Sequence, residues 1–234
     1  MDCIAANLEK VQANIRVACE KVGRDVRDVT LIAVSKTFAA VDVQEAFQAG
    51  QIHFGENRLQ EAEAKIPMLP SALQWHYIGQ LQRNKARKVL PLFCMIHSID
   101  SLRLAQYTNE LAREVGLFPR VFLQVNLAAE MSKGGFSEEQ LTESWDALLA
   151  LDRLEIQGLM TVPPISADPE NSRSWFARLR NLRDKLQGNS GVAMPALSMG
   201  MSGDYCVAIE EGATHVRVGS SIFGGRGYPA APTA

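Results

Sequence analysis

Short apolar runs alternate with helical patterns along nearly the whole chain, and this alternation constrains the fold more than any other feature. Eight predicted strands cover residues 30–36, 52–57, 75–79, 94–99, 120–126, 154–162, 195–199 and 215–219. A helical pattern follows each strand, and one more helix over 2–22 precedes them all. Eight strand–helix units predict an α/β fold, a single (β/α)8 TIM-type barrel with an extra N-terminal helix. The alternative is an open doubly wound sheet, but such sheets usually stop near six strands.

Composition limits the class of protein. The chain has 234 residues, 47% hydrophobic and 21% charged, which fits one domain over 1–234 with a sizeable core. A net charge of -2 gives no general attraction to nucleic acid or membranes, so we expect neither as a partner. The four cysteines form no Cys-X-X-Cys pair and indicate a reducing compartment. Charges interrupt the N-terminal segment, unlike a signal peptide, so we expect a cytoplasmic protein. The tail 228–234 is expected to be disordered.

A lysine ends the first predicted strand. Lys36 follows the apolar run 31–34, and α/β proteins keep their sites at the carboxyl ends of parallel strands. A partly buried lysine loses hydration, and its amine becomes a nucleophile toward carbonyl compounds. The alternative is a solvated lysine whose ammonium extends outward. Lys36 is therefore the first candidate for a chemical role.

Arg217 is the second candidate. Side chains alternate along a strand, and the eighth strand of a closed barrel neighbours the first, which predicts Arg217 beside Lys36 in the interior. Two close cations require an anion or an electron-rich partner, and they favour a neutral lysine amine. The alternative for Arg217 is an ion pair with a carboxylate such as Glu56.

Two loops rich in glycine and serine follow the seventh and eighth predicted strands. They span 198–204 and 219–224, both open helices, and Ser202 is predicted to cap the first of these helices. Barrels often bind phosphate at these two positions, where main-chain N–H groups and hydroxyls suit a dianion. We expect a phosphate group between them.

The remaining polar clusters carry weaker signals. His53, His76, His97 and His215 fall in or beside predicted strands without metal-ligand spacing. We assign no metal and expect hydrogen-bonded core or rim histidines. The run 83–88 holds four basic residues and is interpreted as a solvated helix face, with contact to an acidic partner as the alternative.

The segment 75–85, WHYIGQLQRNK, resembles the hallmark of the pyridoxal phosphate homeostasis protein family, although Tyr77 stands where Phe or Met is commoner. Segments 33–36, 54–57, 158–161, 197–202 and 216–219 also resemble motifs of that family. The resemblance spans nearly the whole chain. It implies the barrel of the alanine racemase N-terminal domain, in a family without demonstrated catalysis.

The resemblance also implies the roles of individual residues. Lys36 forms a Schiff base with pyridoxal 5′-phosphate, and Arg217 faces the pyridine nitrogen. The other implied cofactor-binding residues hold the phosphate or line the ring: Ser202, Gly219 and Ser220 for the phosphate, and Asn57, Met160 and Ser198 for the ring. No catalytic residue is assigned.

A guanidinium beside the pyridine nitrogen has a chemical consequence. It cannot accept the ring proton, so the ring stays neutral and stabilises carbanions weakly. We therefore expect a reservoir or carrier that exchanges cofactor with small amines or apo-enzymes. One alternative is a single-barrel amino-acid racemase, disfavoured because the racemases' second β domain, the source of a catalytic tyrosine, does not follow the barrel in this sequence. A regulatory adaptor that docks a protein partner is the other. Without a second-domain surface, a monomer is expected.

Overall fold

The computed structural model describes residues 3–130 and 133–225, and in it eight parallel strands close into a barrel in chain order. The strands are β1 (Thr30–Val34), β2 (His53–Glu56), β3 (Gln74–Tyr77), β4 (Met95–Ile99), β5 (Arg120–Gln124), β6 (Glu155–Met160), β7 (Ala196–Met201) and β8 (His215–Val218). Because β8 pairs with β1, the predicted barrel is confirmed and the open sheet is wrong. The tail 228–234 lies outside the described residues.

Helices connect the strands on the outside of the barrel. They are α1 (Ile4–Lys21), α2 (Ala40–Gln48), α3 (Leu59–Lys65), α4 (Arg83–Val89), α5 (Leu102–Glu114), α6 (Glu138–Glu143), α7 (Trp145–Leu149), α8 (Arg173–Ser190), α9 (Tyr205–Glu210) and α10 (Ser220–Phe223). The helix α1, which precedes the first strand, is confirmed. None of the helices in the described ranges combines the length and apolar character that crossing a bilayer requires.

Alternation along the strands divides the buried side chains into two sets. Outward residues such as Phe54 and Val216 belong to the large core that the helices cover. Inside the barrel, Met95, Phe122 and Met160 form a separate buried cluster with Ala196. The interior is thus filled by side chains rather than forming a pore, as is usual for such barrels. The packed interior leaves the mouth of the barrel as the place where the carboxyl ends of the strands can meet a ligand.

The helix α1 secures the loops at that mouth. It packs against α9 and α10, the two short helices that follow β7 and β8. Asn7 Nδ2 donates a hydrogen bond of 3.0 Å to the Ile222 carbonyl, and Asn14 Nδ2 donates one of 2.9 Å to the Tyr205 hydroxyl. Both glycine- and serine-rich loops are thereby anchored to the first helix of the chain.

Candidate functional site

A cavity of about 430 Å³ opens at the carboxyl ends of β1, β2 and β8. Its volume falls in the range of ligand-binding pockets. Six of the eight residues predicted as site residues line it together: Lys36, Asn57, Ser202, Arg217, Gly219 and Ser220. The barrel therefore brings residues from both ends of the chain to one concave surface.

A buried ion pair supports the main chain directly before Lys36. The Lys65 ammonium lies 2.6 Å from Glu56 Oε1 and also donates a hydrogen bond of 2.9 Å to the Ser35 carbonyl. The Ser35 hydroxyl donates a bond of 2.7 Å to the same Glu56 oxygen. Both side chains of the pair are almost completely buried. Since β1 ends at Val34, these contacts fix the chain beyond the last strand residue.

The residue after Lys36 adopts an unusual backbone conformation. Thr37 has a φ of 70°, in the left-handed region that non-glycine residues rarely occupy. Its N–H donates a hydrogen bond of 3.0 Å to Glu61 Oε2 at the start of α3. Side chains of β2 and α3 thus hold the main chain on both sides of Lys36. A hydrogen bond of 3.1 Å from the Phe38 N–H to the Ser35 carbonyl closes this turn, which contains the lysine that lines the cavity.

Arg217 enters the cavity as a buried cation. Only 5% of the residue is exposed. Its Nη1 donates a hydrogen bond of 2.6 Å to Ser198 Oγ, and its Nη2 donates one of 2.9 Å to the Thr161 carbonyl. Both acceptors are neutral, and no carboxylate of the described ranges forms an ion pair with it. Burial lowers the pKa of Arg217 to about 10, and the negative charge of Asp204 opposes part of this effect by raising the pKa. The guanidinium stays charged at neutral pH.

Two expectations about Arg217 are corrected. The ion pair with Glu56 is wrong, because Glu56 pairs with Lys65 instead. Arg217 also lies deeper than Lys36, since the β1–β8 register pairs it with Ile32, four residues earlier. Both cations still line the same cavity. A ligand between them would meet Lys36 near the mouth and Arg217 further down.

The loops after β7 and β8 are joined by a hydrogen bond. The Gly219 N–H donates to Ser202 Oγ over 3.1 Å. The predicted cap by Ser202 is wrong: Asp204 occupies the N-cap position of α9, and its Oδ1 accepts a bond of 2.7 Å from the Met201 N–H. The Ser202 hydroxyl is used across the two loops rather than along its own helix. It therefore brings the loops together at the cavity wall.

Two predicted site residues do not line this cavity. Met160 belongs to the interior cluster and lines an adjoining cavity of about 200 Å³, which shares Ile78 and Val162 with the first. Ser198 is completely buried and contacts Arg217 from below. Both lie next to the site rather than on its surface.

Sequence reasoning missed Thr161 and the connection between the histidines. Thr161 follows β6, and its carbonyl accepts from Arg217. Its position at the carboxyl end of a strand is the signal that could have identified it. Three of the histidines, expected as hydrogen-bonded core or rim residues, are bonded to one another in one series: His53, His76 and His97. The spacing of these residues along the chain gave no sign of it.

Comparison with known proteins first defines a class. Residues 6–227 match the sequence profile of the family described as alanine racemase, N-terminal domain. This is the class to which the chain with its closed barrel belongs. The match covers most of the chain, and it agrees with the fold described above.

Full-length relatives then define the family. A pyridoxal phosphate homeostasis protein of Pseudomonas aeruginosa is 45% identical over 234 residues, covering 98% of this chain and 99% of the relative. One of Aquifex aeolicus is 41% identical over 222 residues, covering 94% and 97%. The chain belongs to the pyridoxal phosphate homeostasis protein family. The resemblance found in segment 75–85 is thereby confirmed.

A solved structure supports the same grouping. PipY of Synechococcus elongatus PCC7942, in a structure with PLP bound, is 39% identical and superimposes with a TM-score of 0.84. The alignment covers 94% of this chain and all of that chain. The structure of PipY without PLP gives a TM-score of 0.86. The names of these relatives are not enzyme names.

Proposed function

We propose that this protein binds pyridoxal 5′-phosphate covalently through Lys36 and acts as an intracellular reservoir or carrier of that cofactor. The observation that carries the proposal is the meeting of three groups in one cavity. These are the Lys36 amine, the Arg217 guanidinium without a carboxylate partner in the described ranges, and the paired loops of Ser202 and Gly219. When bound, pyridoxal phosphate supplies an aldehyde that joins an amine reversibly and a ring that accepts electrons.

The site fits the two ends of this cofactor. A buried guanidinium with spare N–H donors suits the lone pair of a pyridine nitrogen, and it leaves that nitrogen unprotonated because arginine has no acceptor. The hydroxyls of Ser202 and Ser220 and the main chain around Gly219 suit a phosphate dianion. A Cβ at Gly219 would come within 3.3 Å of the Val34 carbonyl, so this loop packs closely against β1. In this arrangement Asn57 borders the ring.

The lining of the cavity favours a carrier over a racemase. Among the residues that line it in the described ranges, Lys36 and Arg217 are the titratable ones. Racemisation needs groups that remove and return a proton on opposite faces of the substrate, and arginine is a poor acid or base at neutral pH. Lys36 alone cannot serve both faces. Binding without groups that stabilise a transition state gives affinity rather than rate.

The contacts of the basic run 83–88 do not support a role in docking a partner. In α4, Arg87 pairs with Glu114 at 2.6 Å and Lys88 pairs with Glu63 at 3.0 Å. These intramolecular pairs at the surface agree with a solvated helix face. We further propose a monomeric, single-domain protein of the cytoplasm. The four free cysteines support the reducing compartment.

The covalent assignment is tested by chemical trapping. The full chain loaded with pyridoxal phosphate is reduced with borohydride, digested, and the pyridoxyl group located by mass spectrometry. We expect the label on Lys36 and its loss in Lys36→Ala, while Lys85→Ala, which changes a lysine of α4, labels normally. Recovery of the label mainly on another lysine would overturn the assignment.

The carrier role is tested by transfer. Incubation of the loaded protein with an apo-enzyme that requires pyridoxal phosphate should activate that enzyme, while a panel of amino acids should show no turnover. Steady racemisation of alanine above the rate of free pyridoxal phosphate, and lost in Lys36→Ala, would favour the enzyme instead.

A further inference from the structure

Three histidines form a hydrogen-bonded series through the interior of the barrel. His53 Nδ1 lies 3.0 Å from His76 Nε2, and His76 Nδ1 lies 3.0 Å from His97 Nε2. His97 Nδ1 then lies 2.8 Å from Ser198 Oγ, the hydroxyl that accepts from Arg217. We call these three residues the histidine column. The column links the amino-terminal end of β2, where His53 lies, to the floor of the cavity.

The residues of this series come from five strands. His53 begins β2, His76 lies in β3, His97 in β4, Ser198 in β7 and Arg217 in β8. From His76 to Arg217 every member is at least 95% buried, so water does not compete for these hydrogen bonds from outside. Buried polar side chains persist in a barrel core only where they are satisfied. The geometry therefore gives one partner each to both nitrogens of His76, both nitrogens of His97 and Nδ1 of His53.

The chemistry of Arg217 gives the series a direction. A guanidinium only donates, so Ser198 Oγ must accept from it, and the Ser198 O–H remains to be donated. Within the described residues, His97 Nδ1 is the one group placed to receive that hydrogen. A neutral imidazole that accepts at Nδ1 carries its proton at Nε2. His97 therefore donates to His76, and His76 in turn donates to His53.

The opposite direction leaves a buried donor unused. If His97 donated to Ser198, the hydroxyl would accept two bonds and its own hydrogen would have no acceptor in the described structure. A buried hydroxyl without a partner is unfavourable. The groups around the column also oppose a charged form. Burial lowers the pKa of His97 and His76 well below the ordinary value, and Arg217 and His215, which face them from β8, lower the pKa of His97 further.

We propose that His97 is a positioning residue for the guanidinium of Arg217, acting through the Ser198 hydroxyl, and that the histidine column is held in a single tautomeric pattern with every proton on Nε2. The part of this inference that concerns the cofactor rests on the proposed function, in which Arg217 faces the pyridine nitrogen. The tautomeric pattern itself does not depend on the cofactor. It follows from the hydrogen-bond donors and acceptors of the chain alone.

The tautomers are measured directly by nuclear magnetic resonance. Nitrogen-15 shifts of the imidazole rings in the full chain distinguish Nε2–H, Nδ1–H and doubly protonated rings. At pH 7.5, with and without pyridoxal phosphate, we expect His97 and His76 as neutral Nε2–H tautomers. An Nδ1–H tautomer or a charged ring at His97 would overturn the proposal, whatever the cofactor does.

Matched variants separate positioning from mere packing. His97→Asn places an amide oxygen near the position of Nδ1 and keeps an acceptor for Ser198, whereas His97→Leu removes it. We expect release of pyridoxal phosphate to be faster by about tenfold in His97→Leu, the effect of one lost hydrogen bond, with a shifted visible absorbance maximum. His97→Asn should stay within about twofold of the parent. Equal effects of the two variants would overturn the proposal.

A double variant tests whether His97 acts through Ser198. Ser198→Ala alone should speed release, and adding His97→Leu to it should change release no further, because the link is already absent. Additive effects would contradict an action through Ser198. His215→Asn controls for packing, because it changes a partly buried ring that lies beside the rings of His76 and His97 but hydrogen-bonds Thr214 instead of the column. If the parent protein bound no pyridoxal phosphate, the proposed function would be refuted. The nitrogen-15 measurement would still show whether the histidine column has the proposed tautomers.

Discussion

The Lys65 ammonium lies 2.9 Å from the carbonyl oxygen of Ser35, and this bond joins a buried charge on α3 to the main chain directly before Lys36. The same ammonium neutralises Glu56, whose second carboxylate oxygen has no hydrogen-bond partner within residues 3–130 and 133–225. Burial raises the pKa of Glu56, while Lys65 lowers it. The cluster is thus held by one cation, so the position of Lys36 and the stability of the barrel depend on the same side chain.

Lys65→Met should strongly destabilise the protein. Removal of one partner leaves a buried carboxylate without compensation, which costs about 3–5 kcal/mol. Urea unfolding followed by circular dichroism measures the loss. Arg87→Met, which breaks a pair exposed to solvent, is the matched control and should change stability little. Equal unfolding midpoints for the two variants would contradict the structural role of Lys65.

The free energy of unfolding should decrease as the pH falls from 7 to 5. Burial lowers the pKa of His215 to about 4 in the folded protein, below its value in the unfolded chain. The unfolded chain therefore binds the proton first as the pH falls. The contribution of neutral His215 to the free energy of unfolding is present above about pH 6.5 and is lost toward pH 4. For His215 alone the loss between pH 7 and pH 5 is roughly 2 kcal/mol. Urea titrations at several pH values measure the slope.

The buried imidazoles of His76 and His97 should steepen that slope, since their pKa values are also lowered by burial. His215→Asn removes one titrating group and should flatten the dependence. A parent protein whose stability is the same at pH 5 and pH 7 would show that these rings are not held neutral.

Arg217→Met should separate cofactor retention from folding. Without cofactor, Arg217 is a buried cation bonded to two neutral acceptors, so its removal relieves a desolvated charge while it costs two hydrogen bonds. We expect the Tm of the cofactor-free protein to change by only a few degrees. Dialysis of the loaded protein should show faster loss of pyridoxal phosphate. A large fall in Tm with unchanged retention would indicate a purely structural role.

Gly79→Ala should disturb the cavity through Asn57. A Cβ at Gly79 would lie 2.1 Å from the Asn57 carbonyl oxygen, so the main chain must move. Such overpacking costs about 1–3 kcal/mol, and the displaced Asn57 should weaken cofactor retention. Gly188→Ala is the control, because its Cβ would meet no described atom within 4 Å beyond its chain neighbours and the α8 backbone, and the position is inside α8. The control should be slightly more stable than the parent. Wild-type retention in Gly79→Ala would refute the expected displacement.

The sequence was sufficient to predict that Lys36 and Arg217 share one cavity, but not how deep each residue lies in the barrel. Chain order alone makes β1 and β8 neighbours once the barrel closes, and alternation directs both side chains inward. The register of that pairing, Ile32 with Arg217, is set by the packing of the whole barrel. No local pattern in either strand encodes it, and so the two cations were expected side by side.

The histidine column and the contact of Ser202 with Gly219 could not be predicted from local sequence patterns, for a similar reason. Each contact joins residues from different strands or loops, so it depends on the relative height of elements far apart in the chain. Serine is a common residue at helix N-caps, yet the Ser202 hydroxyl accepts a hydrogen bond from the N–H of Gly219, which is 17 positions away. Cap preferences describe competition within one helix, and they carry no information about a neighbouring loop.

The closure of β8 onto β1 has a consequence during synthesis. Lys36 emerges from the ribosome early, whereas Arg217 and Ser220, which line the same cavity from β8 and the loop after it, emerge about 180 residues later. The last parallel strand must insert between β7 and β1 before the cavity has its second wall. A nascent chain therefore presents a lysine without the cation or the serine loops that would retain an aldehyde beside it. Under the proposed function, tight capture of the ligand is in this way restricted to chains that have completed the barrel.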